Sequence, residues 1–182
     1  MKIFVADAAF QLDKQHSMGM AARCVIWQIK KNGLEVIKSI DDSDYIFVSS
    51  THPQEANYLK KFVAYKKPVI VGGAGALSPA HYLKYCDYVV LGDGKNVIEA
   101  IKDKKDIASI SNVYDGKKDK VHINFDFPWD CPPIKTEDGS FSIFCGRGCK
   151  NKCYFCQTGW ALKYKENPKS PAQLAIALSK KK

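Results

Sequence analysis

Four of the seven cysteines in this 182-residue chain lie within the segment FCGRGCKNKCYFCQTGW, from Phe144 to Trp160. Cys149, Cys153 and Cys156 have the spacing C-x3-C-x2-C. Three thiolates close together in sequence can hold three irons of a [4Fe-4S] cluster and leave the fourth iron open to another ligand. The segment therefore predicts a metal site with Cys149, Cys153 and Cys156 as its ligands.

A closed four-cysteine zinc or iron-sulfur site is the alternative, because Cys145 stands only four residues before Cys149. Such a site would have no open position. Zinc ligands of this kind usually come as two separated C-x2-C pairs, whereas Gly146 and Gly148 here form a flexible turn that can carry the chain away from Cys145. The pattern favours the three-cysteine site, and metal content would distinguish the two.

The elements on either side place these cysteines on a loop. The apolar stretch SFSIFCGRG, from residue 140, is typical of a strand. The chain ends with SPAQLAIALSKKK, in which Ser170 and Gln173 form a capping box and Pro171 suits the first turn of a helix. A loop at the carboxyl end of a strand is a common place for a site in α/β folds.

The first 125 residues alternate between apolar strand-like runs and amphipathic helical stretches. KIFVA, LEVIKSI, YIFVSS, PVIVGG and YVVLGDG read as strands, several of them apolar enough to be buried on both faces. Three helical faces are predicted to point inward: Met18, Ala21, Val25 and Ile29; Ala56, Leu59 and Val63; and Val97, Ile98 and Ile101. This alternation predicts a parallel sheet wrapped by helices.

Three regions follow from these patterns. Residues 1–125 form the α/β domain and end in a hairpin that turns at Asp115-Gly116. Residues 126–140, with three prolines and no periodicity, form a linker. Residues 141–182 begin a second domain that contains the cysteine loop.

The positive charge of the chain is concentrated near its end. The formal net charge is +9; residues 1–140 carry 19 basic and 18 acidic side chains, and residues 141–182 carry 9 and 1. This distribution does not require a nucleic-acid partner. No apolar run reaches the roughly 20 residues that span a bilayer, so we expect a cytoplasmic protein with no membrane partner. In that reducing compartment clustered cysteines indicate metal or catalysis, whereas Cys24, Cys86 and Cys131 read as small buried residues.

The C-x3-C-x2-C spacing, with Phe155 just before the last cysteine, closely resembles the signature of the radical S-adenosylmethionine (SAM) superfamily. The α/β region, VGGAGALSP, DYVVLGDGKNVIEAI, the prolines and GRGCKNKCYFCQTG follow the order seen in members with an N-terminal cobalamin (B12)-binding-like domain. The resemblance implies a Rossmann-like (cobalamin-binding-like) parallel sheet domain. After it would come the first strand, cluster loop and helix of a partial radical SAM β/α barrel.

The same resemblance implies an enzyme whose [4Fe-4S] cluster cleaves SAM reductively to start radical chemistry on an unknown substrate. Electrons would come from a donor such as flavodoxin or ferredoxin. Phe155 would pack near the adenine of SAM, and Gly72 and Gly73 would line a cofactor groove. No catalytic residue is assigned. The methylthiotransferase group is a second relative, but Cys24 and Cys86 do not match its additional cluster.

Cobalamin itself is doubtful on the residues. Base-off cobalamin domains carry Asp-x-His-x-x-Gly after the first strand, whereas DKQHSMG places Asp13 one residue too far from His16. If cobalamin binds, we expect it to bind without a histidine on cobalt.

A radical SAM barrel needs about 200 residues by analogy with other β/α barrels, and 42 residues remain from Phe141 onward. We therefore expect that residues 1–182 are a fragment or need another chain to complete the barrel. On their own they should be inactive.

Overall fold

The computed structural model describes residues 1–8, 18–124, 127, 129–135, 139–154, 163–170, 172–173 and 176. The chain divides into two compact units, Met1–Asp126 and Phe127–Lys182. Asp13, His16, Phe155 and Cys156 lie outside the described residues.

The first unit is built on a six-stranded sheet in the order β2-β1-β3-β4-β5-β6. The strands are β1 (Lys2–Asp7), β2 (Glu35–Ile37), β3 (Tyr45–Ser49), β4 (Val69–Gly72), β5 (Tyr88–Val90) and β6 (Val113–Tyr114). The first five are parallel, and β6 pairs antiparallel with β5. The predicted α/β class, with a mostly parallel sheet, is confirmed.

Helical segments connect the strands. These are α1 (Met20–Lys31), a 3₁₀ helix (Pro53–Tyr65), two short 3₁₀ segments (Ala74–Leu77 and Pro79–His81), α2 (Lys95–Lys102) and a 3₁₀ turn (Ile107–Ser109). Within the described part of the chain, no helix combines the length and apolar character needed to cross a bilayer.

The sheet is buried on both faces because its central strands are apolar at consecutive positions. On β3, Phe47 belongs to one core cluster and Ile46 to the other. On β4, Ile70 and Val71 divide in the same way. Neighbouring side chains point to opposite faces of a strand, so an uninterrupted apolar run requires cover on both sides.

Two predicted helix faces were partly wrong. Val63 is 54% exposed, and Phe62 is fully buried in its place. Pro53–Tyr65 is a 3₁₀ helix with three residues per turn, so Phe62 follows Leu59 on the inward face. In α1, Ala21 is exposed and Ala22 is buried.

The α1 error has a similar geometric cause. Met18 precedes the extended N-cap Gly19 and is therefore outside the helix. A helix face that is counted from Met18 is therefore displaced. The third predicted face is confirmed: Val97, Ile98 and Ile101 of α2 are all buried.

The expected hairpin at Asp115-Gly116 takes a different form. Gly116 has a positive φ of 83° and the chain turns there, but no strand is present in residues 115–123. Asn124 instead forms a bridge with Gly92, beyond the end of β5, and its carbonyl accepts the Asp93 N–H at 3.0 Å. The chain that follows the turn therefore pairs with the residues just beyond β5 and does not pair with β6.

The second unit contains two short antiparallel pairs. β7 (Ile134–Lys135) pairs with β8 (Phe141–Ser142), and β9 (Gly146–Arg147) pairs with β10 (Lys165–Glu166). The continuous strand expected from residue 140 into the cysteine loop is therefore wrong, because β8 and β9 pair with different partners and are separated by residues 143–145. The predicted linker also contains a strand, β7.

The 3₁₀ geometry generates a stability prediction. We expect Phe62→Ala to lower the free energy of unfolding by about 3–5 kcal/mol, because it empties a fully buried position. The neighbouring Val63→Ala should change it by less than about 0.5 kcal/mol. Urea denaturation followed by circular dichroism measures both. Equal losses in the two variants would contradict the three-residue turn.

Candidate functional site

Two of the three predicted metal ligands lie in the described part of the cysteine loop. Cys149 and Cys153 are half-buried, and Cys145 is exposed. Cys156 lies outside the described residues, as does Phe155. Among the residues that are described, no three or more cysteine, histidine or carboxylate side chains come together as a metal site. The three-cysteine site therefore stays a prediction.

The loop that carries the cysteines is closed at its base by strand pairing. Arg147 pairs with Lys165 and Gly146 with Glu166, while Cys149 forms an isolated bridge with Lys163. The chain therefore leaves this base after Cys149 and returns to it at Lys163. The described residues 150–154, Cys153 included, therefore follow directly on a paired base.

Asn167 adds a second closure beside β9 and β10. Its backbone N–H donates to the Cys145 carbonyl at 2.9 Å, and its side-chain amide donates to the Phe144 carbonyl at 2.7 Å. The side-chain oxygen accepts the Lys169 N–H at 2.9 Å. One residue thus ties the chain before the loop to the chain after it. Sequence reasoning missed Asn167, since an asparagine before a proline reads only as a turn signal.

An aromatic cluster supports the strand that enters the loop. Phe127 is 5% exposed, and its ring centroid lies 4.6 Å from that of Phe144 and 4.9 Å from that of Trp129, both edge-on. The Arg147 guanidinium lies 4.8 Å from the Phe127 centroid, a cation-π distance. The segment predicted to be a featureless linker therefore packs against the base of the loop.

A backbone N–H is directed at Cys149. The Asn151 N–H donates to the Cys149 sulfur at 3.4 Å. Cysteine sulfur is the usual donor atom for iron-sulfur clusters. The ammonium of the next residue, Lys150, pairs with Glu166 at 3.3 Å and lies over the Tyr164 ring. The donor chemistry of the described residues fits a thiophilic metal or cluster.

The carboxyl edge of the sheet in the first unit is the other predicted site, and buried polar side chains fill it. The Ser50 hydroxyl is 2.8 Å from a Glu55 carboxylate oxygen and 2.8 Å from the Tyr82 hydroxyl. The Tyr82 hydroxyl donates to the His52 carbonyl at 2.9 Å, and the Thr51 N–H donates to Glu55 at 2.8 Å. Burial raises the pKa of Tyr82, which keeps its phenol protonated as a donor.

Gly72 and Gly73 lie at this edge, as predicted, at the end of β4. Gly73 has a φ of 103°, and a side chain there would meet the Ser50 carbonyl at 2.3 Å. Gly72 has more room, because a methyl group at that position would lie 3.8 Å from the Val90 side chain. Protein atoms therefore account for the glycine at position 73. A contact between either glycine and a cofactor stays a prediction.

Acidic side chains also lie at this edge. Asp7 ends β1, is 4% exposed and accepts the Gly19 N–H at 2.6 Å, just before α1. A carboxylate in this position favours the N-terminus of a helix. Burial, with the nearby charge of Asp7, raises the pKa of Tyr58 to about 12. With Glu55 also buried, this edge is unfavourable for the phosphate of a nucleotide.

No protein-family model matches the chain, and the search of curated proteins returned no significant match. The assignment of function therefore depends on the residues themselves.

Closure of the loop by Asn167 can be tested without any metal. Asn167→Ala removes the side-chain bond to Phe144 and leaves the backbone bond to Cys145. Loss of one hydrogen bond is worth about 1 kcal/mol, so we expect exchange of the residue 167 amide to become about fivefold faster. Hydrogen exchange followed by NMR measures this rate.

Asn151→Ala is the matched control, because Asn151 contacts the loop through its backbone N–H and its side chain can be removed without loss of that bond. Equal exchange rates at residue 167 in the wild type and Asn167→Ala would show that the side chain does not hold the loop.

Proposed function

We propose that the protein is a radical SAM iron-sulfur protein that binds a [4Fe-4S] cluster through Cys149, Cys153 and Cys156. The observation that carries the proposal is the C-x3-C-x2-C spacing, with Phe155 inside it. It is supported by the closed base of the loop, since a cluster needs ligands held at fixed separations. The substrate is unknown, and a reduced flavodoxin or ferredoxin would be a suitable electron donor.

When bound, the cluster would supply the electron that cleaves SAM, with SAM occupying the open iron. The residues of this chain would hold and shield that chemistry. Asn151 offers an N–H to the Cys149 sulfur, and Asn167 fixes the chain on both sides of the loop. Phe155 is proposed to pack near the adenine of SAM.

The fold of the first unit agrees with a Rossmann-like domain in front of the cluster loop. Its parallel strands follow the order 2-1-3-4-5, which is one of the two common orders of doubly wound α/β sheets. Our proposal does not include cobalamin. The Ser50 hydroxyl, which could have contacted its nucleotide tail, already bonds to Glu55 and Tyr82.

A closed four-cysteine site is the second candidate. Its fourth ligand would be Cys145, but that side chain is exposed, and the backbone at Cys145 is tied to Asn167. These contacts favour the three-cysteine set.

A methylthiotransferase-like protein would need further ligands in the first unit. Cys24 is 3% exposed, and burial raises the pKa of Cys86 to about 12, so neither readily supplies a thiolate.

Anaerobic reconstitution with iron and sulfide tests the proposal. We expect about four irons per chain and a [4Fe-4S] absorption and electron paramagnetic resonance signature. Cys149→Ala, Cys153→Ala and Cys156→Ala should each abolish the signature, because each removes one of only three thiolates. Cys145→Ala is the matched control in the same loop and should retain it.

Loss of the cluster in Cys145→Ala, or one tightly bound zinc per wild-type chain, would instead establish the closed four-cysteine site. Addition of SAM to the reduced cluster should change its resonance spectrum if an iron is open. An unchanged spectrum would contradict the SAM part of the proposal.

A further inference from the structure

A cleft of about 480 Å³ lies at the amino ends of β4 and β5, at the end of the sheet opposite Ser50. Its lining includes Val63, Lys66, Lys67, Leu83, Lys84 and Asp87. The volume is within the range of about 300–1,000 Å³ that is usual for ligand sites. All of these residues belong to the first unit, and none of them is part of the cysteine loop in sequence.

Positive charge surrounds this cleft. The segment KKFVAYKK, residues 60–67, has four lysines and no acid, and Lys84 also lines the cleft. Lys67 has a structural role, since its ammonium donates to the carbonyls of Ile40 at 2.8 Å and Ser43 at 2.6 Å. The acid in the lining, Asp87, accepts the Val69 N–H at 2.8 Å.

The other four lysines make no ion pair with a carboxylate among the described residues. They are Lys60, Lys61, Lys66 and Lys84. Lys66 and Lys84 line the cavity and Lys60 lies near the Tyr85 ring of its lining, so we name these three lysines and the cavity the lysine cleft. Like charges gathered around one cavity are unfavourable unless a counter-ion or an anionic partner neutralises them. Two ion pairs of the first unit, Lys95 with Glu99 and Lys105 with Asp103, involve residues outside the cleft.

The ring of Tyr85, which lines the cleft, lies close to two of these ammoniums. Lys84 lies 4.8 Å and Lys60 5.7 Å from its centroid. A ring face attracts a cation but carries no net charge, so the positive potential remains. Consistent with this potential, the hydrogen bond from Lys84 and the charge of Lys60 lower the pKa of Tyr85.

Uncovered apolar surface lies directly beside the charge. Tyr65 is 36% exposed and Val63 is 54% exposed. Ammonium groups that meet phosphates, next to an aromatic side chain on which a base can stack, are the combination used to bind single-stranded nucleic acid.

We propose that the lysine cleft binds single-stranded nucleic acid, with its lysines on successive phosphates and Tyr65 against a base. The spread of the lysines favours a chain of phosphates over one small anion. Lys60 and Lys66 are six residues apart, or about 12 Å along a 3₁₀ rise of about 2.0 Å per residue. A duplex would leave no base face free for Tyr65. The binding does not depend on the iron-sulfur proposal.

Fluorescence anisotropy of the full chain with a labelled oligouridylate of about 12 nucleotides tests this at several salt concentrations. The cleft variant replaces three lysines by glutamine: Lys60→Gln, Lys66→Gln and Lys84→Gln. Each phosphate contact contributes about 0.7 to the salt slope of a single strand, so we expect the slope to fall by about 2. The affinity at low salt should fall at least about tenfold.

The matched control has the same change in net charge on exposed lysines outside the cleft: Lys30→Gln, Lys38→Gln and Lys102→Gln. It should keep the wild-type slope. Both variants retain the C-terminal lysines, so binding through that end would persist in both. Circular dichroism confirms that each variant is folded.

Tyr65→Ala should weaken binding without a change in salt slope, because it removes stacking and no charge. Three results would overturn the proposal: no binding by the wild type, equal losses in the cleft and control variants, or a cleft variant that binds like the wild type. Pyrophosphate that competes as well as the oligonucleotide at equal phosphate concentration would also overturn it, in favour of a small-anion site.

Discussion

Ser50 holds together the carboxyl edge of the first unit. Its backbone N–H donates to Gly72 and its carbonyl accepts from Gly75, which ties the end of β3 to the chain after β4. Its hydroxyl contacts Glu55 and Tyr82, two residues from different connections. The side chain is 1% exposed, so each of these polar groups needs a protein partner. These bonds lie at the edge of the sheet where α/β folds commonly bind ligands.

The parallel sheet could be predicted from the sequence because a strand that is buried on both faces has apolar residues at consecutive positions. The run PVIVGG contains no polar residue that could face solvent, so it indicates a strand that is covered on both sides. The residues on the inward face of Pro53–Tyr65 could not be predicted, because the three-residue spacing of Ala56 and Leu59 fits an α-helix and a 3₁₀ helix equally well. The two geometries diverge only at the next turn, where Phe62 and Val63 are both apolar.

The sequence predicted the cysteine ligands of the candidate site, but it did not predict the residues that hold the cysteine loop in place. Cysteine spacing is a local property, so Cys149 and Cys153 could be singled out without a fold. Asn167 and Phe127 act across gaps of about twenty residues, and nothing in their immediate neighbours indicates the partner. In the described part of the second unit, each strand is two residues long. Its order depends on side-chain contacts for which sequence patterns are weak.

The 3₁₀ winding of Pro53–Tyr65 has a consequence for how this segment can evolve. With three residues per turn, side chains align in straight rows, and the row Ala56, Leu59 and Phe62 faces the core. Substitution within a row changes one contact. Insertion or deletion of a single residue rotates everything beyond it by about 120° and turns Phe62 out to solvent. Related chains should therefore differ in the composition of this segment far more readily than in its length.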